Sequence, residues 1–238
     1  MYKLIDNFFS KEECNSAIDE INQNQSSWYL CGETGMYILG NSFLRREFNT
    51  HLNKIYEFDA ANLFKEKLLD IFPKIDFFKK TGKPGFQIIK QNETKKPAVW
   101  HYDSILINFP YNLEFADYNN NFNDYFEEYY VFTLMLSDSN SSFDYYPETK
   151  SKFGNTALEE QQTLVCSGHV DLIGDDCANS QCQLTKFETI YYNQGSLLVQ
   201  DDRYLHRVGY KDIDGSNTNR LTLQSYGVVK NGILYLFW

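Results

Sequence analysis

The feature that most constrains the fold is a change of texture at Pro84. Beyond it the chain breaks into short runs rich in β-branched and aromatic residues: GFQIIKQ, SILINF, YYVFTLML, QTLVC, TIYYN, GSLLVQ, RLTLQSYGVV and ILYLF. Clusters of Gly, Asn, Asp and Ser separate them. Runs of this length and punctuation read as strands. A set of short strands must close on itself or stack as two sheets to bury its apolar faces. The 18 Tyr and 19 Phe support this, because aromatic side chains suit pleated surfaces and can wall a pocket. Ahead of Pro84 the pattern is helical. Ser10 and Glu13 form a capping box, and Cys14, Ala17, Ile18 and Ile21 follow at helical spacing, which predicts a helix over about 11–21. A second helix is predicted through Ala60, Leu63, Phe64, Leu68, Leu69 and Phe72, with Asp59 as its cap and Pro73 as its stop. Helices followed by roughly eight strands predict one mainly β domain, with helical support over about 1–80 and a β-core over about 84–238. Loops rich in Asn and Ser at 119–123 and 138–142 are expected to be mobile.

Composition narrows the function classes. A formal charge of −10 argues against a nucleic-acid partner, since phosphate needs a basic stripe. The opening MYKLIDNFFSKEEC has no basic stretch followed by an apolar run, so it does not read as a signal peptide. No segment approaches ~18 consecutive apolar residues, so no membrane partner is expected. The five cysteines are irregularly spaced, and Cys177 with Cys182 lacks a second pair to complete a zinc site. Free thiols in a reducing cytosol are the expectation, hence a cytoplasmic protein. Nothing in the sequence sets the oligomeric state.

The chemistry lies in WHYDS, which puts His101 and Asp103 two positions apart. Residues i and i+2 of a strand point to one side, so an extended stretch lets both grip one ion. Two imidazoles and one carboxylate form the facial triad that holds Fe(II) and leaves positions open. The third ligand must come from His51, His169 or His206. His206 follows a buried run and a turn in GSLLVQDDRYLHRVGY. Further on, Arg220 opens RLTLQS, whose alternate residues Arg220, Thr222 and Gln224 share one face while Leu221 and Leu223 take the other. An Arg with a nearby hydroxyl suits a carboxylate. Taken singly, His101 is equally an ordinary strand histidine, Asp103 a turn residue capping Ser104, and Arg220 the partner of a surface acid. A second HxD, His169 and Asp171, competes. It leaves about 35 residues before His206, room for four short strands at most, whereas Asp103 leaves about a hundred.

In this order the motifs resemble the Fe(II)- and 2-oxoglutarate-dependent dioxygenases, most closely the small prolyl-hydroxylase-type branch. NFFSKEEC also resembles that family's entry into its first helix. The resemblance implies a double-stranded β-helix (a jelly roll) with supporting N-terminal α-helices. It implies His101, Asp103 and His206 as iron ligands, and Arg220 with Thr222 as the clamp on the far carboxylate of 2-oxoglutarate. The implied cofactors are Fe(II), 2-oxoglutarate and O2, with ascorbate assisting. The implied activity is hydroxylation of an unactivated C–H, with desaturation or ring closure as variants. The presence of Asp103 fits hydroxylation rather than halogenation, for which the family's halogenases carry a small residue there.

A small-molecule substrate is expected, in particular a free amino acid or derivative, with a basic one as the sharper expectation. Between Pro97 and Thr149 there is no Lys or Arg, while Asp and Glu occur nine times. Residues 111–130, with Glu114 and Asp117, then form a lid that attracts a cation, or simply a solvated acidic loop. Arg203 and Arg207 flank His206 and are candidates for a substrate carboxylate, with Gln224 as a further polar contact. Hydroxylation of a peptide side chain, a non-redox cupin-like metal protein and a purely structural jelly roll are the other readings.

Overall fold

A computed structural model describes residues 2–23, 29–31, 36–39, 59–77, 87–91, 126–150, 188–201, 204–210 and 220–237. In chain order the elements are β1 (Tyr2–Ile5), α1 (Lys11–Gln23), β2 (Tyr29–Cys31), β3 (Met36–Leu39), α2 (Asp59–Leu68), β4 (Ile75–Phe77), β5 (Gln87–Gln91) and β6 (Glu128–Met135). They continue as β7 (Ser141–Lys150), β8 (Glu188–Tyr191), β9 (Leu197–Asp201), β10 (Tyr204–Tyr210), β11 (Arg220–Lys230) and β12 (Ile233–Phe237). The expected strands at 104–109 and 162–166 and the loop at 119–123 lie outside the described residues.

The protein is mainly β and forms two sheets. The larger runs β1-β9-β6-β11-β5-β3-β2, with β12 pairing both β11 and β4, and the smaller runs β10-β7-β8. From β6 onward the chain passes to the smaller sheet for β7 and β8, returns for β9, crosses again for β10 and returns for β11. That winding is a double-stranded β-helix, the jelly roll. β11 is its long central strand. Its first half pairs with β5 and its second half with β12, while β6 runs along its other edge.

Alternation along the strands builds two separate cores. Phe132 and Leu134 of β6, Leu197 and Val199 of β9 and Leu223 of β11 turn to one face of the larger sheet. There they pack with Phe8, Phe9, Ile21, Phe64 and Leu68 from the N-terminal helical layer. Each such side chain, fully buried, contributes about 1.5–3 kcal/mol. The opposite parity, Met135 and Leu198, faces the smaller sheet and packs with Phe143, Tyr145, Ile190 and Tyr192. Gly195 closes the two layers at one end. Its φ is +84°, and a Cβ there would lie 2.2 Å from the Phe9 carbonyl oxygen, so only glycine fits.

The capping box of α1 is present: the Ser10 N–H donates to Glu13 Oε2 at 2.6 Å and the Glu13 N–H to Ser10 Oγ at 3.1 Å. Four expectations need correction. The start of α2 is met from another helix, because the Asp59 and Ala60 N–H groups donate to the Glu20 carboxylate at 2.6 and 3.2 Å. The same helix ends at Leu68, and Phe72 is apolar because its ring packs edge-on against Tyr130 and Phe132. Residues 138–142 are no loose loop, since Ser141 and Ser142 open β7 and are buried. The N-terminal third is also more than helical support, for β1 to β4 all join the larger sheet.

Candidate active site

The space between the sheets is lined from β11 by Arg220, Thr222 and Gln224. Thr222 stands opposite Met135 and Gln224 opposite Thr133, and neighbours across a ladder share a face. The Gln224 amide donates to Thr133 Oγ1 at 3.3 Å. Arg220 is only 4% exposed and Thr222 fully buried. Yet among the described residues Arg220 Nε and Thr222 Oγ1 have no hydrogen-bond partner, and no carboxylate pairs with the guanidinium. A buried charge without a partner costs several kcal/mol, and a buried hydroxyl about 1–3 kcal/mol. Two such groups two residues apart on one wall form a cradle whose chemistry suits an anion.

The smaller sheet supplies the facing wall. His206 of β10 is buried, stands opposite Tyr145 in register, and stacks on Phe143 with ring centroids 5.2 Å apart. Its Nδ1 is 2.9 Å from the Tyr204 carbonyl oxygen. A carbonyl only accepts, so in the neutral ring the proton sits on Nδ1 and Nε2 keeps its lone pair. A metal-binding histidine is held in the same way, by a backbone carbonyl on its other nitrogen. The amide of Gln200, on β9 across the gap, is 3.4 Å from Nε2. Burial first, then the neighbouring Tyr204 and Asp201, push the Tyr145 hydroxyl well above the usual phenol range, so it stays neutral beside the imidazole.

No protein-family model and no curated protein matches the sequence. Solved structures do match in shape. One is HygX from Streptomyces hygroscopicus with nickel, 2-oxoglutarate and hygromycin B bound, at TM-score 0.54 and 13% identity over 97% of this chain and 83% of that one. Another is the non-heme alpha-ketoglutarate-dependent carbocyclase SnoK from nogalamycin biosynthesis, at TM-score 0.50 and 11% identity over 96% and 79%. The chain has the fold of these two proteins. Nothing in the likeness singles out the prolyl-hydroxylase branch.

Within that fold, the residues named from the sequence fall into three groups. His206, Arg220, Thr222 and Gln224 line the space between the sheets. Arg207 does not. It is next to His206 in sequence and therefore on the opposite face of β10, where its Nε donates to Asp144 Oδ2 at 2.8 Å. Its expected role beside the histidine is corrected by the pleat itself. His101, Asp103, Arg203, Glu114 and Asp117 lie outside the described residues, as do His51, His169 and Asp171. Among the described residues no His, Cys, Asp and Glu cluster is large enough to hold a metal. The end of the supposed lid is described and is something else: Glu128 to Tyr130 begin β6, and Glu127 accepts from the Asn231 and Gly232 N–H groups of the β11–β12 turn.

Two inward polar residues escaped the sequence reading. Gln200 stands one strand period beyond Leu198, where an apolar residue is expected, and that break in pattern is the signal for it. Tyr192 is buried with a hydroxyl that has no described partner, and its sequence context TIYYN gives no sign of this.

Proposed function

We propose that this chain is an Fe(II)- and 2-oxoglutarate-dependent oxygenase acting on a small molecule. The observation that carries the reading is the buried Arg220 guanidinium, without a carboxylate among the described residues, beside the unpartnered Thr222 hydroxyl. The far carboxylate of 2-oxoglutarate meets both needs, since guanidinium and carboxylate match in charge and fork geometry. A jelly roll that only binds metal, or has only a structural role, gives no reason for such an arginine.

His206, with Nε2 free of its proton, fits a metal, and we assign His101 and Asp103 as the other two ligands. Two imidazoles and a carboxylate suit Fe(II). The bound iron and cosubstrate supply the activation of O2. The chain's own residues supply placement and dryness. Arg220 and Thr222 fix the cosubstrate's far end, the Tyr204 carbonyl and the Phe143 ring fix the imidazole, and Met135, Leu198 and Tyr145 keep water from that wall. HygX has hygromycin B bound and SnoK is a carbocyclase, which supports a small-molecule substrate and keeps ring closure beside hydroxylation as an outcome.

For the substrate we propose a cationic amino acid or derivative. The support is the stretch from Pro97 to Thr149, with nine acids and no Lys or Arg. Asp144 and Glu127 are already used within the fold and Asp103 is assigned to the metal, so the attraction rests on the remaining six.

Succinate release from 2-oxoglutarate with Fe(II), O2 and ascorbate tests the reading, alone and over a panel of amino acids. Arg220→Ala is expected to raise the KM for 2-oxoglutarate about ten- to a hundredfold, the loss of a charge-assisted contact worth ~1.5–3 kcal/mol. An unchanged KM removes Arg220 from the clamp. Stimulation by neutral or acidic compounds but not by lysine or arginine removes the cationic substrate.

A further inference from the structure

We propose that Asp144, on the outer face of the smaller sheet, is a positioning residue for His206 on the inner face. The inference rests on His206 being a metal ligand. It starts from an irregularity in β10. Tyr204 pairs with Lys150, but Leu205 pairs with Tyr146, so the register shifts immediately before the histidine. A bulge of this kind bends a strand and re-aims the side chains beyond it. Here the Tyr204 carbonyl, at the break, accepts the hydrogen bond from His206 Nδ1. The strand must then recover one register, because a slip of one residue carries the imidazole to the wrong face.

The outer face does this with one carboxylate. Asp144 of β7 is 5% exposed. Its Oδ2 accepts from Arg207 Nε of β10 at 2.8 Å, and its Oδ1 from Thr189 Oγ1 of β8 at 3.0 Å, with Ser142 Oγ 3.5 Å away. All three strands of the smaller sheet are thereby tied at one point. Arg207 stands opposite Asp144 in register and is the residue after His206. Two residues further, Gly209 stands opposite Ser142, and a Cβ there would fall 2.7 Å from both Asp144 Oδ2 and Ser142 Oγ. The glycine leaves room for the carboxylate in this register, and a side chain in its place does not. A buried ion pair is seldom more stable than apolar residues of the same volume. What it adds here is a fixed pairing, and the side chain whose place is fixed is His206.

The test uses the full chain and Mn(II) or Co(II) alone. Mutating groups that support a metal ligand typically weakens affinity 10- to 100-fold. Asp144→Asn is expected to weaken Mn(II) binding roughly tenfold and to change the visible absorption of bound Co(II), at temperatures where the variant is folded. Wild-type affinity and an unchanged Co(II) spectrum, with only a lowered melting temperature, would overturn the proposal. Should Asp144→Asn not fold, Gly209→Ala decides by the same two readouts, since its methyl displaces Asp144 and Ser142 without removing charge. Wild-type protein that binds neither ion overturns the ligand reading itself, which is a separate failure.

Discussion

Two arginines less than fifteen residues apart in sequence meet opposite fates. Arg207 is given a carboxylate by the fold, and Asp144 is further satisfied by Thr189. Arg220 is more deeply buried and is given none among the described residues. Folding alone does not favour the second arrangement, because removing a guanidinium from water without compensation is unfavourable. A satisfied buried charge therefore serves the protein's own structure. One left unsatisfied by the described residues marks a place open to a further partner.

Stability measurements can break that comparison. Asp144→Ala strands Arg207, and because Arg207 keeps contact with solvent the expected cost is roughly 2–3 kcal/mol in denaturant unfolding, below the 3–5 kcal/mol of a fully buried pair. Arg220→Met, measured without ligand, strands nothing and is expected to leave stability unchanged or raise it by about 1 kcal/mol. The same variant should lose about half or more of the stabilisation that 2-oxoglutarate at a hundred times the wild-type Kd gives the wild type, about 2.7 kcal/mol. Equal losses in the two ligand-free variants would mean that Arg220 has a structural partner after all. The smallest effect concerns Tyr192, whose buried hydroxyl has no described partner. Tyr192→Phe is expected to raise stability by about 1 kcal/mol, the low end of what a buried unpaired hydroxyl costs. A drop would show that the hydroxyl is bonded in solution.

The sequence was most readable where one local rule acts alone. The Ser10–Glu13 box places the start of α1, and strict alternation in RLTLQS puts Arg220 and Thr222 opposite Leu221 and Leu223. It was least readable where a distant partner decides. Glu20 meets the α2 N-terminus across nearly forty residues, so no motif beside Asp59 announces it. β7 carries Ser141, Ser142, Asp144 and Pro147, the residue types of a loop, and is a strand because Arg207 and Thr189 answer its polar outer face. Arg207 itself was read by nearness in sequence, which within a strand means the opposite side of the sheet. Tertiary neighbours of this kind leave no periodic trace in one sequence.

The pairing of β1 with β9 has a consequence for how the molecule assembles. Tyr2 lies opposite Gln200, so this ladder closes a loop of about 200 residues, and such closures form late and slowly. Until then the edge of β9, with its row of open backbone groups from Leu197 to Asp201, is a template for any extended chain. The strand that carries Gln200 to the histidine is thus also where an incompletely folded molecule is most exposed to pairing with a second copy.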